Sequence, residues 1–188
     1  RGREVVTRER EKEEGPLREF VDGLSDRKPR LLRAPGTAVF LNRGKDTVPL
    51  AMRANVDHNH VLHEHVIIMA INTLSVPRVA DTERANVDAL GYADDGIVHV
   101  TANFGYMETP NVPHVLRLLD PSQTEGRIAV DGANYFLSNI ELVMGTAPTM
   151  SPWRKYLFIA TSHITADAAE HFGLPRDRTV IMGSRIEV

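Results

Sequence analysis

The chain has 188 residues, of which 42% are hydrophobic and 25% are charged, as is typical of one globular domain. Cysteine is absent, which excludes disulfides, thiolate catalysis and cysteine-based zinc sites. The formal net charge of −3 predicts no broad basic surface for nucleic acid. The longest apolar run, residues 66–71, is too short to cross a bilayer, and the charged N-terminus predicts no signal peptide.

The first 14 residues combine five basic with five acidic side chains, and two pairs, Glu4 with Arg8 and Glu9 with Lys12, have helical spacing. They predict a solvated helix that buries almost nothing and ends at Gly15. Two interpretations remain open: a frayed terminal arm, or a linker that arrives from a neighbouring segment. Because the chain lacks an initiator Met, we expect that a preceding segment has been cut away.

Residues 17–24 place apolar side chains on one helical stripe and predict a helix docked on the core. Residues 26–35 are basic and interrupted by proline, which predicts a loop. The continuous apolar runs 37–41 and 65–71 predict strands covered on both faces, the second of them central. A polar turn over 42–46 and Pro49, at a first helical turn, separate these strands.

Period-two alternation over 83–90 and 98–104 predicts two half-exposed strands that form an antiparallel hairpin around residues 91–96. The adjacent Asp94 and Asp95 are interpreted as turn formers, not as paired catalytic carboxylates. Asn111 is placed to cap a helix, a loop follows over 121–126, and residues 134–143 predict a strand.

After a loop over 145–150, Ser151 begins the best-marked helix, which carries Trp153 on its core face and stops at Gly173. Residues 179–188 predict the last strand. The whole pattern predicts an α/β fold, a mixed β-sheet flanked by helices with an N-terminal linker helix. We divide it into a linker and docking helix, residues 1–33, and an α/β domain, residues 34–188.

Four histidines, His58, His60, His63 and His65, occur within eight residues and raise the question of a metal site. Their rings are expected to point in different directions if the first ends a helix and the last starts a strand. A helix-to-strand junction whose imidazoles bond backbone groups is therefore the favoured interpretation, and we predict no metal site.

The sequence contains neither GxSxG nor a phosphate-binding glycine loop, and no Ser, His and Asp belong to a recognisable motif. We predict no catalytic residue. Gly105, next to Phe104, admits two interpretations: a close approach of ligand to backbone, or the favoured one, a strand that ends at a turn.

Short motifs from residue 17 onward resemble, in order, the cytosolic C-terminal domain of KUP-type (HAK/KT-type) potassium uptake permeases. They are PGTAVFL at 35–41, Pro49, HN at 58–59, VLHE at 61–64, PRV at 77–79, FGYMETP with NVP at 104–113, YFL at 135–137, Trp153, FGLP at 172–175 and IEV at 186–188. The chain departs from the family pattern at 162–165, where SHIT replaces the usual SRNA, and at 180–183, where VIMG replaces VVELG.

The resemblance implies a regulatory and dimerisation domain, not an enzyme, on the cytoplasmic face of the cell membrane. Its partners would be the transmembrane domain of the same polypeptide, a low-affinity potassium–proton symporter, and a second copy in a homodimer. It implies no cofactor, but an adenine nucleotide or cyclic di-AMP as effector. The residues expected to bind that effector are His58, Asn59, His63, Glu64, Phe104, Gly105, Tyr106 and Glu108.

Two rival functions stay open at this point. A nucleotide-processing enzyme domain would need clustered acids for magnesium, and the sequence offers only Asp94 with Asp95 and scattered glutamates. A purely structural dimer platform would bind no ligand at all.

Overall fold

The computed structural model describes residues 2–91, 95–124, 130–143 and 168–187. Its six strands are β1 (Leu32–Asn42), β2 (Val61–Leu74), β3 (Ala85–Asp88), β4 (Ile97–Gly105), β5 (Asn134–Val143) and β6 (Thr179–Glu187). Its helices are α1 (Gly2–Glu14), α2 (Leu17–Asp22), α3 (Leu50–Ala54), which continues as one wider π-helical turn over Asn55–Asn59, α4 (Val112–Leu118) and α5 (Ala168–His171).

The strands form one mixed sheet in the order β3-β4-β2-β1-β5-β6. All neighbours are parallel except β3 and β4, which pair antiparallel. Counted alone, the five parallel strands follow the order 3-2-1-4-5, which is that of a doubly wound sheet with its switch point between β1 and β5. The predicted α/β fold with a mixed sheet is confirmed.

Helices cover both faces of this sheet, which explains the continuous apolar runs of β1 and β2. Val39 and Ile67 point to one face, where they pack with Val115 of α4. Phe40 and Ile68 point to the opposite face, where they pack with α2 and α3. Because successive strand residues alternate between faces, a strand buried on both sides needs an apolar residue at every position.

β1 and β2 are both longer than their apolar runs predict. Leu32 pairs with Val61, so the prediction of a loop over 26–35 is wrong for its last four residues. The parallel ladder to β2 extends β1 beyond its buried part. The register shifts between Ala34 and Thr37, and this irregularity accommodates Pro35, which has no N–H to donate.

The predicted hairpin of β3 and β4 is confirmed, but β4 is not half-exposed. His99 is only 5% exposed, because α2 and the segment that follows β1 lie over this end of the strand. Asp95 acts as a turn former, since its Oδ1 accepts a hydrogen bond from the backbone N–H of Ile97 at 2.8 Å. Asp94 lies outside the described residues.

The remaining predictions are either confirmed or concern residues that the structure does not describe. α2 docks on the core, the Asn111 side chain caps α4 by accepting from His114 N–H at 2.9 Å, and β5 and β6 form as predicted. The loop over 145–150 and the helix from Ser151 lie outside the described residues, apart from α5. Gly173, with φ of +65°, ends that helix as predicted. The division at residue 33 stays a prediction.

Among the helices described here, none is long and apolar enough to span a membrane.

Candidate functional site

The first group of predicted site residues lies at the amino-terminal end of β2. His58 and Asn59 are exposed on the π-helical turn that follows α3. The Asn59 side-chain amide donates to Oδ1 of Asn55 at 3.0 Å. His60 then adopts the left-handed conformation, with φ of +53°, which turns the chain from the helix into β2. These side chains therefore face solvent at a sharp corner.

His63 lies inside this end of β2, half-buried against Phe136 of β5. The two rings meet edge to face with their centroids 5.6 Å apart. Burial lowers the pKa of His63. Its Nδ1 is buried and has no hydrogen-bond partner, so this nitrogen does not make the backbone bond that was expected of the imidazoles. Glu64, the next residue, is exposed on the other side of the strand.

The four histidines do not converge in this geometry. His58 belongs to a helical turn, whereas His63 and His65 belong to β2. In the part of the chain that the structure describes, no group of three or more His, Asp or Glu side chains is placed to hold a metal ion.

The second group of predicted residues lies at the carboxyl-terminal end of β4 and is organised by Glu108. Its Oε2 accepts from the N–H groups of Gly105, at 2.6 Å, and Val79, at 3.1 Å. The Arg84 guanidinium donates to both carboxylate oxygens, at 2.8 Å and 3.0 Å. The Arg84 hydrogen bond, followed by those from the backbone, lowers the pKa of Glu108 to about 2. Glu108 is thus a structural anchor of this turn.

β4 ends at Gly105, so the interpretation as a strand that ends at a turn is confirmed. A Cβ at Gly105 would lie 2.3 Å from the carbonyl oxygen of Pro77, so the backbone that approaches this glycine belongs to the chain itself. Phe104 is buried beneath the Arg84 guanidinium, 5.1 Å from the ring centroid. Tyr106 is 61% exposed and is left free to contact another molecule.

The two groups lie at opposite ends of the parallel strands, the first at their amino ends and the second at their carboxyl ends. Phe104 pairs with Thr73, ten residues along β2 from His63. At about 3.3 Å per residue, ten residues of strand span about 33 Å. One small ligand therefore cannot contact both groups within a single chain, and the eight predicted residues form two separate surfaces.

A third feature, which sequence reasoning missed, is the attachment of α1 to the domain. Glu14 is 2% exposed, and its carbonyl oxygen accepts from Nε and Nη2 of Arg53 at 3.1 Å and 2.5 Å. The carbonyl of Gly15 accepts from Val48 N–H at 3.2 Å. We call these contacts of Glu14 and Gly15 with Arg53 and Val48 the α1 clamp. α1 is therefore not a frayed arm at this end.

Burial also affects the charge of Glu14. It raises the pKa of this carboxyl, against the opposing effects of a hydrogen bond from Thr47 and the nearby charge of Arg10. Arg10 pairs with Glu14 at 3.0 Å across one turn of α1. The i,i+4 spacing of these two residues was a visible signal, but nothing in the sequence indicates that Glu14 becomes buried.

Together these features define a class of protein: a doubly wound α/β domain with an N-terminal helix clamped to it and two separate polar edges. Residues 35–188 match the family model described as the K+ potassium transporter C-terminal domain. The chain belongs to this family, as the order of its motifs indicated.

Curated relatives support the same assignment. The chain is 73% identical over 188 residues to the probable potassium transport system protein Kup of Rhodococcus jostii, with all of this chain covered. It is 35% identical over 189 residues to that of Cutibacterium acnes and 33% identical over 189 residues to that of Bordetella avium, with 99% and 100% of this chain covered. In each case it spans 29% of the relative's length. No solved structure matches the chain.

Proposed function

We propose that this chain is the regulatory domain of a potassium-uptake transporter, on the cytoplasmic side of the membrane, and that it acts on the transport segment through α1. Family membership and the names of the relatives support the potassium part of the proposal. The observation that carries the regulatory part is the α1 clamp. A ligand or partner that favours one arrangement of the domain biases the transport segment when the two are coupled, and a rigid connecting element is a direct way to couple them.

The clamp provides such a connection because it joins α1 to the core of the domain, not to a loose loop. Arg53 belongs to α3, and its guanidinium lies 4.9 Å from the ring centroid of Phe20 in α2. Phe20 is itself 8% exposed, in the core on that face of the sheet. A shift of α2 or α3 relative to the sheet therefore moves the end of α1.

The effector in this proposal is an adenine nucleotide or cyclic di-AMP, and the transport is potassium–proton symport. Because the two predicted surfaces lie about 33 Å apart in one chain, a site that uses both needs two copies. In a homodimer, His58 and Asn59 of one copy would face Tyr106 of the other. Calorimetry with a nucleotide panel and light scattering test this part together: saturable binding with a dimer supports it, and turnover of a nucleotide favours the rival enzyme.

The central experiment measures rubidium uptake by the intact transporter that carries this chain. Arg53→Met removes both hydrogen bonds to Glu14, and we expect the same change in uptake as deletion of the chain. Arg27→Met is the matched control, because Arg27 also lies over the Phe20 ring, at 5.0 Å, but donates its hydrogen bond to Asp57 instead of Glu14. The proposal is wrong if deletion changes uptake while Arg53→Met and Arg27→Met both behave like the unaltered protein.

A further inference from the structure

A cleft of about 320 Å³ lies on the α2 side of the sheet, between the start of α2 and the β3–β4 hairpin. Its volume lies at the lower end of the range of sites that bind small molecules. Leu17 and Leu90 form an apolar wall, and the polar side chains described below come from α2, β3, β4 and the segment after β1. It contains none of the eight residues that the resemblance assigns to an effector.

The floor of the cleft is His99, which is 5% exposed and whose Nε2 is buried without any hydrogen-bond partner. Burial lowers the pKa of this imidazole, which favours its neutral form. Asn86 and Thr101, directly paired across β3 and β4, line the same floor. A buried polar atom without a protein partner is costly, and native structures satisfy such atoms mainly through ordered water or another bound group.

The mouth of the cleft carries two cations and two carboxylates. Arg18 and Asp88 pair with each other at 3.3 Å. Lys45 and Asp46 also line the cleft, and within the described residues no ion pair or side-chain hydrogen bond is recorded for either. Among the described residues, the cleft mouth therefore has one positive and one negative side chain without an ion-pair partner, above the buried imidazole of His99.

We propose that this cleft binds a small zwitterion of the amino-acid class. The ligand's ammonium group lies against Asp46, its carboxylate against Lys45, and its side chain along Leu17 and Leu90. The buried imidazole of His99 lies beneath the ligand. A ligand with only one charged group would lie beside both Lys45 and Asp46, and one of these two side chains would repel it. A zwitterion is attracted by both, so it is favoured.

The cleft also touches the connection to α1, because Leu17 N–H donates to the carbonyl of Asp46 at 2.8 Å. A ligand between Asp46 and α2 would thus lie two residues from the α1 clamp. Binding itself does not depend on the proposed coupling to transport, since it is measured on this chain alone.

The test is calorimetry on the 188-residue chain with L-leucine and L-glutamine as probes. We expect at least one of them to bind saturably. For the amino acid that binds, we also test the N-acetyl derivative, which lacks the ammonium group, and the carboxamide, which lacks the carboxylate. Each derivative should bind at least tenfold more weakly than the parent amino acid. Lys45→Met and Asp46→Asn, both at exposed positions, should each weaken binding at least tenfold, whereas Lys28→Met, a cation outside the cleft, should not.

The proposal is overturned if neither amino acid binds. It is also overturned if the two derivatives bind as tightly as their parent amino acid, or if AMP, a net anion, binds more tightly than both amino acids. Circular dichroism of the variants establishes that a loss of binding is not a loss of folding. None of these outcomes bears on the Arg53→Met experiment, so the two proposals fail or stand separately.

Discussion

The guanidinium of Arg84 donates two hydrogen bonds to the carboxylate of Glu108, so that the turn after β4 and the segment before β3 are joined by a bidentate ion pair. The Arg84 side chain is 8% exposed and that of Glu108 is 17% exposed. Charge-assisted bidentate pairs of this kind have fixed geometry as well as strength. The turn from Gly105 to Glu108 is consequently a rigid platform for the exposed Tyr106.

Glu108→Gln should remove an acid-sensitive contribution to stability. The pKa of Glu108 is about 2 in the folded chain against an ordinary value of 4.5, so its contribution is fully present above pH 4.5 and is lost as the pH falls toward 2. We expect the variant to have a lower melting temperature than the unaltered chain at neutral pH, and the difference to shrink in acid. Met107→Ala, on the same turn, is the control. A difference that stays constant with pH would contradict the assignment.

His63→Gln should make the free energy of unfolding less dependent on pH, at higher pH than the effect of Glu108. Burial lowers the pKa of His63 below its ordinary 6.5, so the folded chain binds fewer protons there than the unfolded chain, and stability falls as the pH drops below 6.5. His99, also buried, contributes with the same sign. Urea unfolding between about pH 7.5 and about pH 5 should show a shallower slope for His63→Gln and the shallowest for the double variant with His99→Gln. An unchanged slope in both variants would refute the prediction.

Gly105→Ala should destabilise the fold strongly. The new Cβ would lie 2.3 Å from the Pro77 carbonyl oxygen and 2.5 Å from the Arg78 nitrogen, and both are backbone atoms that cannot rotate away. We expect a loss of about 2 kcal/mol or more in the free energy of unfolding. Gly183→Ala is the matched control, because no atom lies within 4 Å of its Cβ position. Equal stability of the two variants would show that the Pro77 backbone moves freely.

Phe40→Ala should open a cavity at the centre of the sheet. Phe40 is fully buried, and its ring stacks on Phe136 with centroids 4.7 Å apart and an interplanar angle of 22°. Truncation of a buried phenylalanine costs about 3–5 kcal/mol, and Phe40→Leu should cost less because it leaves a smaller void. Denaturant titration measures both. A loss below about 1 kcal/mol for Phe40→Ala would mean that α2 or α3 collapses into the space.

The α2 helix illustrates what a sequence can predict when the signal is local. Its apolar stripe, Leu17, Phe20 and Val21, predicts a docked helix, and the structure buries all three. The family assignment was equally accessible, because it depends on the order of short motifs along the chain. In the candidate sites, only the burial of Phe104 and the turn at Gly105 followed from the local pattern.

Sequence alone therefore determined the α/β class, the buried β1 and β2, the β3–β4 hairpin and the capped α4, since each depends on a periodicity or cap within a few residues. Only the tertiary structure decided which chemical groups meet. The parallel register of β2 and β4 separates His63 from Phe104. Helix packing brings Glu14 to Arg53 and buries His99 beneath α2, although the pattern of its strand predicts half-exposure. These are contacts between residues far apart in the chain, and their existence depends on packing that no local pattern encodes.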